Sequence, residues 1–425
     1  MMSLDRRRRA ARVALAFVLV ACTQAVLAGS GGPAGAAVPA QIPVDGHGWG
    51  HGRGMGQFGA YGYAVEEGWT GRMILDHYYG GTITTQMGSS PDQRVLLTGR
   101  DGKDLILFNT AGGMRISADG YQARRRAVRI QRVGEDRFQV YAGDTCSGPW
   151  RKWDRIVTTK GIRAKPSATN AGPDHMLQVC LGRDVGTRYY RGEMIAIHSS
   201  GTIRTVNQVD TEALVRSVIA REMSPSWGDS GDGKGMNALR AQAVAARSYV
   251  MAGDSRWGDL ATTCDSTSCQ VYQGYGIRQP YTKRVIKVED ARTDTATAET
   301  TKKIRRFLDG RVARTEFSSS SGGYTAGGDF PAVPDDGDDT SINPNHDWSV
   351  TVDREALEDV YSFVVGRDLG DVQVVAVSSR NGLGSFGGRA LTVRTLFDGG
   401  DITVTGDEFR RMFGLKSNWF IIRST

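Results

Sequence analysis

A chain of 425 residues, 40% hydrophobic and 23% charged, has room for two or three domains, or for one large domain with insertions. Its formal charge of +7 is mostly an N-terminal property: residues 1–36 hold five Arg and one Asp, and the chain beyond them carries only +3. That small excess gives no electrostatic footprint for nucleic acid.

Taken in chain order, Arg6 to Arg9 and Arg12 form a basic region and Val13 to Ala21 an apolar one, with small residues running on to Ala37. This reads as an export signal over residues 1–36, cut near Ala28 or in Ala34-Gly-Ala36. Leu19-Val-Ala-Cys22 also fits a lipoprotein box that would anchor the chain at Cys22, although apolar Ala25 to Ala28 continues past it. No later stretch is apolar enough to span a membrane, so the expected product is secreted or attached to the cell wall.

Residues 37–85 combine a glycine-rich box, Gly46-His-Gly-Trp-Gly-His-Gly-Arg-Gly-Met-Gly-Gln-Phe-Gly-Ala60, with a helix over Trp69 to His77. The box is too glycine-dense for a helix interior. His47 and His51, four apart, share a face only on a helix, so a zinc pair is not expected. Gly54-Met-Gly56-Gln-Phe-Gly59 fits a dinucleotide fingerprint but lacks its strand–turn–helix context. Residues 86–188 are β-rich, with runs at Val95 to Leu97, Leu105 to Phe108 and Phe138 to Tyr141; Met194 to Ile197 is a further strand. The basic cluster Arg124 to Arg126, Arg129 and Arg132 reads as a solvated face, or as a contact for anionic wall polymers.

Residues 189–425 carry the most informative pattern. In Thr211-Glu-Ala-Leu-Val-Arg-Ser-Val-Ile-Ala-Arg-Glu-Met223, apolar Val215, Val218 and Ile219 are followed at helical spacing by Glu222. A carboxyl group on a core-facing stripe, near the negative helix end, is driven toward its protonated form, as a general acid requires. Periodicity equally allows Glu222 to fray outward where Pro225 stops the turn. An alanine-rich helix follows over Met236 to Ala252, then a polar helix at Val288 to Lys303 and strands at Arg305 to Leu308 and Val312 to Phe317. Four serines, Ser318 to Ser321, lack a nucleophile elbow and read as a polar strand end, or as donors to sugar hydroxyls. The acidic run Asp335-Asp-Gly-Asp-Asp339 lacks calcium-loop spacing and reads as a solvated turn.

Beyond Cys22 the cysteines number four, an even count that suits disulfides in an exported chain. The economical pairing is Cys146 with Cys180 and Cys264 with Cys269. A thiolate metal site would need a His, and none lies between residues 199 and 345. The fold class expected is α+β: a helical core, surrounding β-rich segments and a β-rich insertion.

Four segments together resemble the stage II sporulation protein D family, also called the amidase-enhancer domain family. They are Tyr190-Arg-Gly-Glu-Met through the Glu222-Met223 pair; Ala238-Leu-Arg-Ala-Gln-Ala-Val-Ala-Ala-Arg-Ser-Tyr249 with Cys264 to Gly274; Phe317 to Thr325; and the glycine box with His77-Tyr-Tyr-Gly-Gly-Thr82. The resemblance implies an enzyme that cleaves peptidoglycan glycan strands as a lytic transglycosylase, or a non-catalytic enhancer of a wall amidase. It maps the catalytic acid onto Glu222. Some relatives bind zinc through a His and two Cys; Cys264 and Cys269 stand in that neighbourhood without the His, and neither a metal nor another cofactor is expected. Gln242, Arg247, Ser319, Ser320, Ser321, His47, His51 and Gln57 are candidates to line a sugar cleft. Asp265 would be the second carboxylate of a hydrolytic muramidase. The family carries its glycine box after the C-terminal strand segment, whereas here the box precedes everything else. A circular permutation would bring it back beside Phe413-Gly-Leu-Lys-Ser-Asn-Trp-Phe420 to complete the cleft.

Overall fold

The computed structural model describes residues 38–423 apart from 112, 119–120, 159–160 and 169–171. The export signal and the alternative anchor at Cys22 lie outside the described residues. Helices are α1 (Gln57–Val65), α2 (Gly71–Tyr78), α3 (Thr211–Glu222), α4 (Met236–Ala252), α5 (Ala291–Glu299), α6 (Arg354–Val365) and α7 (Gly406–Phe413). Together with several mostly antiparallel sheets they make a mixed α+β fold.

Chain contacts divide the molecule into two compact units, one from residues 63–316 and the other from 38–62 with 317–423. The division cuts across the segments 37–85 and 189–425 read from sequence. Composition marks where linkers fall, but sheet pairing over long sequence distances decides which segments share a core.

In the 63–316 unit, α4 is the central helix. Ala238, Ala241, Ala243, Ala245 and Ala246 are all buried, and Gly71 of α2 comes so close that a Cβ there would sit 2.9 Å from the Asn237 carbonyl oxygen. Small side chains let neighbouring backbones approach α4 at little entropic cost. Helix α3 begins where the strand Thr202–Asp210 ends: the Asp210 carboxylate accepts from the N–H groups of Glu212 and Ala213 at 2.9 and 3.2 Å, an N-cap contributing about 1 kcal/mol. The residues anticipated as an insertion are β-rich and contribute strands to two large sheets. Gly161–Lys165 pairs with Glu193–Ser199, and Leu105–Phe108 with Leu177–Gly182, inside two large sheets.

In the other unit, Gln41–His47 is the middle strand of three. It pairs with Asp347–Asp353 on one side and with Phe420–Ile422 on the other, with Val44 opposite Ile422 and Gly46 opposite Phe420. The glycine-rich box therefore does start beside the C-terminal strand. Gly46 is demanded by packing: a Cβ there would lie 2.2 Å from the Trp348 ring. The core beneath is apolar, with Ile42, Val44, Val352, Leu357, Tyr361, Phe397, Phe409 and Phe420 buried together.

Two local expectations are corrected. The end of the glycine box is helical from Gln57, and within that helix Gly62 is required by packing, since a Cβ there would lie 2.0 Å from the Gly337 carbonyl oxygen. Val312 to Phe317 is mostly not a strand. Arg314 donates to Tyr249 Oη at 2.7 Å and Thr315 Oγ1 to the Ala245 carbonyl at 2.7 Å, which pins that segment to α4 instead of to a sheet edge.

Candidate functional site

Glu222 is the last residue of α3. Val215, Val218 and Ile219 are at most 1% exposed, as their spacing requires, whereas Glu222 is half-buried where the stripe reaches the helix end. Neither sequence reading fits fully, since the side chain is not in the core and does not fray. Its Oε1 accepts the backbone N–H of Val271 at 2.7 Å. Met223 closes the helix by donating to the Ile219 carbonyl at 3.1 Å, and Pro225 opens a separate short turn.

The loop carrying Val271 is built from 264–274. Cys264 lies in a two-residue strand parallel to Asp92–Leu96 and is bonded to Cys269; Cys146 is bonded to Cys180. Both expected pairings are found. Gln270 is 2% exposed and donates through Nε2 to the Ala246 carbonyl at 3.2 Å. Tyr272 Oη donates to Asn207 Oδ1 at 2.6 Å, and Ser217 of α3 donates to the Gly274 carbonyl at 2.8 Å. Sequence reading missed Gln270 and the Val271 amide. A backbone donor has no sequence signature, and a lone Gln after a cysteine has only a weak one.

The other predicted residues divide. Gln242, on α4 one turn before Ala246, is fully buried with neither amide atom hydrogen-bonded, which leaves both available to a polar group entering its surroundings. Arg247 is corrected to a structural role. Its five N–H donors are all committed, to the Glu212 carboxylate (3.0 and 2.6 Å) and to the carbonyls of Ala243, Lys303 and Thr297, so none remains for a sugar. Asp265 accepts both the N–H and the hydroxyl of Thr98, at 2.9 and 2.7 Å. Burial raises its pKa above the ordinary carboxylate value, and the two Thr98 bonds pull the other way. A cavity of about 940 Å³ is lined by Arg72, Asp76, Asn237, Arg240, Glu299 and Lys303 among others. Its α4 residues lie on the helix face opposite Gln242 and Ala246, so it is not the surroundings of Gln242.

In the other unit, Ser320 and Ser321 are also corrected. Both are buried, and Asp338 (0% exposed) accepts from Ser320 Oγ at 2.7 Å, from the N–H groups of Ser321 and Gly322 at 3.0 and 2.9 Å, and from His346 Nδ1 at 3.0 Å. The acidic run is thus no solvated turn. The Asp338 bond, outweighing burial, raises the pKa of His346 above its usual value. Ser319 is half-buried, and its carbonyl accepts from Phe58 N–H at 3.0 Å. His47 Nδ1 pairs with Asp347 at 2.5 Å, and its ring stacks on exposed Phe386. His51 Nδ1 accepts from Arg53 N–H at 3.0 Å, and Gln57 is buried at the start of α1. No group of three or more His, Cys, Asp or Glu among the described residues is arranged to hold a metal, and no helix among them is long and apolar enough to cross a membrane.

The family-model match falls on the Glu222 unit. A stretch of 141 residues is 34% identical to an uncharacterized protein of Brachyspira hyodysenteriae, and the match covers 33% of each chain, so this protein spans about a third of that relative's length. No solved structure matches. The family model described as "Stage II sporulation protein" matches residues 199–307, a span that holds α3 with Glu222, α4, the disulfide loop and α5. That segment is similar to the stage II sporulation protein family, which is associated with lytic action on the cell wall.

Proposed function

We propose that this protein is an exported lytic transglycosylase of peptidoglycan, with Glu222 as its single acid and base. The observation that supports this most is the carboxyl group of Glu222 at the end of a buried helical stripe, fixed by a loop amide within the matched domain. As an acid, Glu222 protonates the glycosidic oxygen between N-acetylmuramic acid and N-acetylglucosamine, and the C1–O bond breaks. As a carboxylate, it then takes the proton of the sugar's own C6 hydroxyl while that oxygen bonds to C1. The products are a free 4-hydroxyl on the leaving chain and a 1,6-anhydro end. One carboxyl group suffices, whereas hydrolysis of the same bond calls for two.

The tie of Asp265 to Thr98 favours the one-carboxylate route, because that side chain is already committed to a turn. Gln242 is the best-supported sugar contact, since its buried amide lacks partners. Two disulfides suit an oxidising compartment outside the cytoplasm. Mass spectrometry of digested glycan strands tests the reading: anhydro ends are expected. Reducing ends would mean a muramidase, and intact strands a non-catalytic wall-binding protein.

A further inference from the structure

We propose that the Cys264–Cys269 disulfide and Gln270 form a positioning clamp that holds the Val271 amide on Glu222, so that catalysis depends on the oxidised state of this one cysteine pair. The proposal rests on the acid–base role assigned to Glu222 above.

Glu222 is oriented by a donor that belongs to no helix or sheet. Residues 265–275 contain no helix or strand, so the position of the Val271 N–H must be set by other ties. Those ties surround it. On the N-terminal side, Cys264 is 1% exposed and packed with Leu96, Ile195, Val206 and Ala261, and its backbone is in register with Leu96. The disulfide transfers that fixed position to Cys269, two residues before Val271. Gln270 then anchors the intervening residue to α4 through the Ala246 carbonyl. On the C-terminal side, Tyr272 is tied to Asn207, and Gly274 to Ser217 on α3 itself.

Opening the disulfide removes the covalent cross-link between Cys269 and the fixed Cys264. A hydrogen bond weakens steeply as its angle closes, and small misplacements of a catalytic group lower turnover far more than they lower binding. Cys269 is half-buried beside Arg256, which donates to the Ser268 carbonyl at 2.9 Å; Thr267 and Ser268 are exposed, and theirs is the side from which a dithiol reductant would approach. Reduction by such a dithiol would return two thiols here and leave the reductant as its cyclic disulfide. Cys146–Cys180 serves as the internal comparison, because it ties Leu177–Gly182 to the turn after Arg137–Gly143 and is not part of the 264–274 loop.

The experiment uses the exported-length chain with Cys264→Ser/Cys269→Ser in parallel with Cys146→Ser/Cys180→Ser, reading steady-state glycan cleavage and hydrogen exchange at the Val271 amide. The first pair is expected to lower kcat about tenfold with KM within about twofold, and to speed Val271 exchange at least about tenfold. The second pair should leave both readouts within about twofold. If the first pair does not fold, Gln270→Leu, which removes only the tie to Ala246, is read in the same way. Unchanged Val271 exchange overturns the clamp. Faster exchange with unchanged kcat overturns its link to catalysis. Should Glu222→Gln prove fully active, the acid–base assignment fails instead, and the exchange data alone decide whether the clamp exists.

Discussion

Two loops, one in each unit, are each organised around a carboxylate, and they use it in opposite ways. Asp338 is fully buried and accepts from a hydroxyl, two backbone amides and an imidazole, so it is saturated and closes the serine-rich loop on itself. Glu222 is half-buried at a helix end and is steadied by a loop whose own stability comes from elsewhere: a disulfide, a buried glutamine and a tyrosine. The first carboxylate holds its surroundings, and the second is held by them. Only an acid of the second kind can exchange protons with a substrate without unfolding the segment around it.

The contrast is broken most directly by exchanging charge at each acid. Glu222→Gln is expected to lower glycan cleavage at least about a thousandfold while the midpoint of thermal unfolding moves little, measured by product analysis beside a melting curve. Asp338→Ala should do the reverse. It strands several buried donors, costing about 3–5 kcal/mol in denaturant unfolding, and any loss of activity should track the loss of folded protein. Arg247→Lys sharpens the point within the Glu222 unit: it loses the paired contact with Glu212 and several carbonyl bonds, for about 2 kcal/mol of stability, with KM unchanged.

A pH titration separates the units further. His346 has a folded pKa raised above its ordinary 6.5 by Asp338, so its contribution to stability is complete below about 6.5 and is lost as pH rises through the raised value. His346→Gln should flatten the fall in stability on that alkaline side, as followed by denaturant midpoints from pH 5 to 9. The smallest effect is expected at Asp265. Its raised pKa means that ionisation opposes folding, so stability is greatest below about 3.8 and falls as pH rises through the folded value. Asp265→Asn keeps an acceptor for Thr98 and should be neutral or slightly stabilising at pH 7, with cleavage retained. A loss of cleavage would favour a two-carboxylate mechanism.

Helices α3 and α4 were legible because apolar spacing and alanine content act locally. The Cys264–Cys269 bridge was legible because two cysteines separated by a short loop have few alternative partners. The acidic run was misread for the opposite reason: burial of Asp338 depends on Ser320, Gly322 and His346, and no local pattern announces such a convergence. Arg247 looked available on a motif helix until the carbonyls of three separate segments claimed its donors. The Val271 amide was out of reach for a simpler reason, since every residue but proline has one.

The pairing of Gln41–His47 with Asp347–Asp353 and Phe420–Ile422 also sets an order of events during synthesis. The middle strand of that sheet emerges first and must wait for more than three hundred residues before either neighbour exists. The intervening unit, residues 63–316, has its own core and helices and can fold in the meantime. Until the last strand arrives, Gln41–His47 is an open edge exposed to pairing with other chains, and completion of its sheet is a late, slow, long-range step. The strand that leads into the glycine-rich box thus gains its second neighbour only once Phe420–Ile422 has been made.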